Sequence, residues 1–158
     1  MRPAKFARDV LDKYWGFNIP VNVEQIARNM GVVVRYARYL GSMEDDISGS
    51  FDIINGQPIC MVRSTDALVR QRFTLAHELG HFVLNHGKAF RDNAANFNSY
   101  TTDYREYEAN QFAAELLMPE SAIDYFVRQS NFTVGELAKK FNVSGAAMEF
   151  RLNNLGYL

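Results

Sequence analysis

The chain has a single cysteine, Cys60, among 158 residues, so no disulfide can form within it and the usual staple of small exported domains is missing. No apolar run approaches the roughly 18 residues that a membrane span requires. No basic-then-apolar leader opens the sequence, so a cytoplasmic protein without membrane contact is expected. An excess of charge is missing too. Lys and Arg total 17 against 18 Asp and Glu, a net charge of −1, which argues against a surface that tracks phosphates and makes direct nucleic-acid binding an unlooked-for role. Repeats and low-complexity tracts are absent, and histidine occurs only three times. What is present is ordinary for a globular domain: 47% hydrophobic and 22% charged residues. A chain of this length can bury about 70% of its unfolded surface, so one domain over residues 1–158 accounts for it.

Two of the three histidines stand together, in Thr74-Leu75-Ala76-His77-Glu78-Leu79-Gly80-His81, an HExxH arrangement. On a helix, positions four apart share a face, so both imidazoles can reach one metal ion with Glu78 beside them. The surroundings predict such a helix from Asp66 to His86. Ser64, Thr65 or Asp66 can cap its start, Phe73, Ala76, Leu79, Gly80 and Val83 form an apolar stripe, and Gly87 suits the stop. Gly80 inside a helix costs about 1 kcal/mol relative to Ala, which implies close approach of another backbone. Zinc takes nitrogen, sulfur or carboxylate ligands in a tetrahedron, and hydrolysis leaves one position open for water. The reading is a zinc hydrolase that needs one more protein ligand.

His86 is a poor third ligand. The longer HExxHxxGxxH pattern wants glycine at 84 and histidine at 87, where this chain has Leu84 and Gly87. On a continuing helix His86 also lies about half a rotation from His77, and a cation at the helix C-terminus is its simpler role. The segment Arg105 to Pro119 offers better candidates. Glu106 shares a stripe with Ala109, Ala113, Leu116 and Leu117, whereas Glu108 shares its face with Gln111 and Glu115. Glu108 therefore reads as solvated surface. A carboxylate on a core-facing stripe is costly unless it is paired or binds metal, which singles out Glu106. Asn110, one turn further, either supports a ligand by a hydrogen bond or is an ordinary polar position.

The remaining elements can be placed coarsely. Residues 3–14 and 22–30 read as helices, the second capped by Asn22 and ended by Gly31, and Val32–Leu40 as a strand. Ile47–Ile54 and Gln57–Arg63 form a hairpin around Asn55-Gly56, after a polar loop at Gly41–Asp46. Cys60 sits in an apolar strand, a core thiol rather than a nucleophile. Lys88–Asp103 is polar and aperiodic, either a lid or docking loop or a slack connection. A capping box at Thr133–Glu136 begins a helix, and a second helix starts at Ser144. This helix-turn-helix-like element, about residues 133–155, has only Arg151 as a cation on its second helix. Packing or partner docking suits it better than reading DNA.

Taken together, Arg72 to His81, the run Glu106 to Pro119, and Phe141-Asn142-Val143-Ser144 followed by Arg151 to Gly156 resemble the ImmA/IrrE-type zinc metallopeptidases, over a stretch from about residue 20 to the end. The resemblance implies an α+β fold: one zincin-like domain with a small mixed or antiparallel sheet, the HExxH helix and the helix-turn-helix-like element. It implies His77, His81 and Glu106 as zinc ligands and Glu78 as general base. It further implies cleavage of a helix-turn-helix repressor or antitoxin in a bacterial or phage regulatory system. Related glutamate-zincins often carry aspartate where this chain has Asn110. By analogy with zincin sheet order, Ile47–Ile54 would be an edge strand, and Ser48, Gly49, Ser50 and Phe51 would hold an extended substrate. Tyr100, Tyr104 and Tyr107 are candidates for oxyanion stabilisation by sequence proximity alone. The competing class is a non-proteolytic zinc-binding regulatory or toxin-antitoxin partner, against which an intact Glu78 speaks.

Overall fold

A computed structural model of the chain describes residues 2–41, 47–85, 103–129 and 131–158, together with the backbone of 90–93. Two helices lead, α1 (Pro3–Tyr14) and α2 (Val23–Asn29). Asn22 caps α2 by accepting from the Gln25 amide at 3.1 Å, as a short polar side chain at that position should. Strands β1 (Val33–Ala37), β2 (Ile47–Ile54) and β3 (Gln57–Arg63) precede the long helix α3 (Leu68–Val83). After β4 (Phe90–Asn93) come α4 (Tyr104–Leu117), α5 (Glu120–Gln129), α6 (Val134–Phe141) and α7 (Gly145–Asn154). Helices and sheet are segregated, an α+β arrangement.

The sheet runs β1-β3-β2-β4. β1 is parallel to β3, while β2 is antiparallel to both β3 and β4. The β2–β3 hairpin turns at Asn55 and Gly56, both at positive φ, the conformation that an Asn-Gly pair tolerates best. Opposed residues in this pair share a face, so Gly49 with Val62 and Phe51 with Cys60 point to one side. That side meets α3, where the rings of Phe51 and Phe82 lie 5.6 Å apart. β2 is not an edge strand. Gly49, Ser50 and Phe51 are already partnered by Asp92, Arg91 and Phe90 of β4, so the main-chain groups expected to take an extended substrate are spent within the sheet. A four-residue strand in a polar, aperiodic stretch gave no sign of this pairing.

α3 is layered between the sheet and α4, and α1 packs on α4 from the far side. Gly80 permits the α3–α4 approach: a Cβ there would meet the buried Phe112 ring at 3.1 Å. The close neighbour is thus a side chain, not another backbone. α3 is shorter than the sequence pattern suggests. Asp66 does not cap it but pairs with Arg63 at 2.8 Å, and Gln71 Nε2 ties the entry by donating to the Ser64 and Asp66 carbonyls. At the other end Asn85 turns left-handed at φ 58°, a conformation that asparagine accepts more readily than most residues. Residues 86–89 and 94–102, which include His86, Gly87 and most of the stretch 88–103 expected to be a lid, docking loop or slack connection, lie outside the described residues.

The capping box forms as expected, with Thr133 Oγ1 accepting from the Glu136 amide and Glu136 accepting from the Thr133 amide. Arg72 of α3 anchors the C-terminal pair by donating to the Phe141 and Asn142 carbonyls, and also to Val21 at 2.7 Å. The one cation of α7 points inward: Arg151 donates to Glu115 at 2.6 Å and to the Met118 carbonyl at 3.1 Å. Such an arginine cannot read a base or a phosphate.

Candidate metal centre

The layering of α3 on α4 brings together side chains that are far apart in sequence. His77 and His81 stand one turn apart on α3, their rings edge to face at 4.8 Å. Glu106, in the first turn of α4, reaches both: its carboxylate oxygens lie 3.0 Å from His77 Nε2 and 2.9 Å from His81 Nε2. The two Nε2 atoms are 3.2 Å from each other. All three side chains are buried, and Glu78 beside them is 0% exposed.

A hydrogen bond on the far side of His77 decides what this triangle presents. Its Nδ1 lies 2.8 Å from Asn110 Oδ1. An amide oxygen only accepts, so Nδ1 carries the proton and, in the neutral ring, Nε2 carries the lone pair. That lone pair faces a carboxylate oxygen and a second imidazole nitrogen. Buried acceptors pointed at one another repel unless a proton or a metal cation lies among them. The spacing suits a metal ion, because ligand atoms about 2.0–2.1 Å from a tetrahedral centre are about 3.3 Å apart, close to the 2.9–3.2 Å seen here. Two imidazoles and a carboxylate are a donor set that zinc accepts. Among the described residues no other group of three such ligand atoms converges.

Glu78 is placed by the sheet. A Cβ on Gly49 would stand 2.9 Å from Glu78 Oε2 and 2.4 Å from Thr74 Cγ2, so only glycine at 49 lets β2 lie against the carboxylate. Ser48 and Ser50 are on the opposite face, and Ser48 Oγ accepts from Arg63 Nη2 at 3.2 Å. The small residues at the start of β2 therefore accommodate α3 and the Arg63 side chain.

Two expectations about α4 need correction. Glu108 is not solvated surface but only 5% exposed, and Glu115 is 2% exposed, because α4 is covered on several sides rather than one. Glu115 is held by Arg151, and Glu108 takes no part in the triangle. Burial alone therefore does not distinguish Glu106 from Glu108; convergence with the histidines does. Of the tyrosines, Tyr104 and Tyr107 are 66% and 42% exposed and stack on one another at 6.4 Å. The Tyr107 hydroxyl accepts from Gln111 Nε2 at 2.8 Å, so it is engaged along the outer surface of α4. Tyr100 lies outside the described residues.

The model of the IrrE N-terminal-like domain family matches residues 27–153. The chain is 27% identical over 97 residues to Metallopeptidase ImmA of Bacillus subtilis (strain 168), which covers 61% of this chain and 57% of that protein. It is also 27% identical over 97 residues to Uncharacterized immunity region protein 2 of Bacillus phage phi105, covering 61% of this chain and 60% of the phage protein. The matched segment thus spans under two thirds of either relative.

Proposed function

Since the chain belongs to the IrrE N-terminal-like domain family, we propose that it is a zinc-dependent endopeptidase whose substrate is a helix-turn-helix repressor or antitoxin in a bacterial or phage regulatory system. The observation that carries this reading is the buried convergence of His77, His81 and Glu106 beside a glutamate that takes no place in the triangle. A purely structural site has no use for an adjoining base.

In this reading His77 Nε2, His81 Nε2 and the Glu106 carboxylate hold the ion. When bound, zinc supplies a Lewis acid that brings the pKa of a water toward ~7 and polarises a scissile carbonyl. Glu78, as general base, would accept a proton from the attacking water and pass it to the leaving amine nitrogen. Asn110 holds the His77 ring with its Nδ1–H outward and so keeps the Nε2 lone pair available. The absence of a side chain at Gly49 leaves room for the Glu78 carboxylate against β2. Burial of the group strengthens each of these electrostatic effects, since little water is present to screen them.

The metallopeptidase name of the Bacillus subtilis relative and the immunity-region name of the phage relative support a protein substrate in a phage-linked setting. No helix among the described residues is long and apolar enough to cross a membrane, and a cytoplasmic location is part of the proposal. The test is cleavage of a purified helix-turn-helix repressor from the host, comparing zinc-loaded protein with Glu78→Gln. The amide cannot accept the proton, so turnover should fall by about 10²–10⁴-fold with metal content unchanged. A variant that cuts as fast as the parent would remove Glu78 from the mechanism. A parent that binds the repressor without cutting it would favour the non-proteolytic partner reading.

A further inference from the structure

A groove of about 980 Å³ runs between the start of α1, the first half of α3, α4 and α7. Its walls separate into two chemistries. Val69, Phe73, Met118, Val143 and Phe150 supply apolar surface, while Arg2, Lys5, Arg8, Arg70 and Arg151 supply cations. No Asp or Glu among the described residues lines it.

The cations are only partly neutralised by neighbours. Glu115 Oε1 lies 2.6 Å from Arg151 and 3.9 Å from Arg8, one carboxylate shared by two guanidinium groups. Asp9 pairs with Lys5 at 3.0 Å, with both side chains more than half exposed. Leaving Arg70 aside, Arg2, Lys5, Arg8 and Arg151 face Asp9 and Glu115, an excess of two positive charges, four less two. The beginning of α1 adds to this field, because it has neither a capping side chain nor an acidic residue in its first turn. The protein as a whole is slightly acidic, at −1, so the basic groove is a local feature.

We propose that this groove docks an acidic amphipathic segment of a partner protein. The apolar side of such a segment would lie on Phe73 and the half-exposed Phe150, with its carboxylates toward Arg2, Lys5 and Arg8. A helix placing apolar residues at i, i+3, i+4 and i+7 suits a concave apolar floor with charge along one rim. Nucleic acid suits it less well, since duplex readers present a protruding cationic element and the one cation of α7 is turned toward Glu115. The groove also reaches Asn110, the residue against His77 Nδ1, so an occupant would lie next to the support of the triangle. The docking is a binding equilibrium and holds whether or not a peptide bond is cut.

The test is fluorescence anisotropy of the zinc-loaded full chain with a labelled synthetic peptide of Leu and Glu in that helical spacing, against versions with Gln or Lys in place of Glu. The Glu peptide should bind at least about tenfold more tightly than the Gln peptide and lose affinity as salt rises. The Lys peptide should not bind. Arg2→Glu combined with Lys5→Glu, and separately Phe150→Ser, should each weaken the Glu peptide about tenfold. Melting temperature and metal content should stay at the parent values, because these side chains are exposed and none of them belongs to the triangle. Equal binding of the Glu and Gln peptides, or undiminished binding by either folded variant, overturns the proposal. So does a mixed-sequence DNA duplex that displaces the peptide at lower concentration than unlabelled peptide itself.

Discussion

Replacing Gly49 with alanine adds one methyl group at the point where β2 meets α3. That carbon would lie 2.4 Å from Thr74 Cγ2 and 2.9 Å from Glu78 Oε2, whereas carbon atoms in contact prefer about 3.5–4.0 Å. Relief requires β2 and α3 to part by about 1 Å or both side chains to leave their rotamers, and β2 is fixed by pairing on both sides. Overpacking of this kind costs about 1–3 kcal/mol, equivalent to a melting point lower by about 3–9 °C for a domain of this size. The assay is thermal unfolding of parent, Gly49→Ala, Thr74→Ser and the double variant. Thr74→Ser deletes the nearest atom, so the double variant should be more stable than the two single losses added together imply, with a coupling of about 0.5–3 kcal/mol. Displacing Glu78 by about 1 Å should also cost on the order of 10²-fold in turnover. A Gly49→Ala protein as stable as the parent, or losses that simply add, would refute the claim that this contact sets the position of Glu78.

Other outcomes follow from the same geometry. Asn110→Ala removes the acceptor on His77 Nδ1 and should lower zinc affinity about 10–100-fold in chelator competition; Asn110→Asp, which keeps an acceptor, should not, and equal affinities in all three proteins would deny Asn110 its supporting role. Burial pushes the Glu115 carboxyl above its ordinary value of 4.5, against the opposing pull of Arg151. The folded state therefore holds this proton more tightly than the unfolded state, so its contribution is fully present below pH 4.5 and is lost as the pH rises through the raised value. Urea unfolding across that range should show the parent losing stability relative to Glu115→Gln, and a pH-independent difference would contradict this.

The most legible parts of the chain were those governed by local chemistry. Asn55-Gly56 announced its hairpin because few other pairs accept two positive φ angles, and Thr133 with Glu136 announced a helix start because the two residues satisfy each other's amides. The spacing of His77 and His81 required a helix, and the apolar stripe around Phe73 and Leu79 supplied one. Tertiary relationships were less accessible. Glu106 was singled out as the buried glutamate of α4, yet Glu108 and Glu115 are buried as well, because helical periodicity reports one packed face and α4 has several. The edge position expected of β2 failed for a related reason: which strand is outermost depends on pairing partners, and β4 has too few residues to show a strand pattern. α5 was not read from the sequence although Ala122, Ile123, Phe126 and Val127 recur at helical spacing and pack on the core, because the helix is short and follows α4 after only Met118 and Pro119. The Gly49 contact with Glu78 joins residues 29 positions apart, and nothing in the local sequence of either signals it.

The central claim is that one metal ion is held by His77, His81 and Glu106, and metal analysis of Glu106→Gln and Glu108→Gln tests it most directly. Both residues are buried on the same helix, so both substitutions perturb packing to a similar degree, but only Glu106 approaches the imidazoles. The expected result is about one zinc per chain in the parent and in Glu108→Gln, and little or none in Glu106→Gln. Zinc retained by Glu106→Gln and lost from Glu108→Gln would contradict the account.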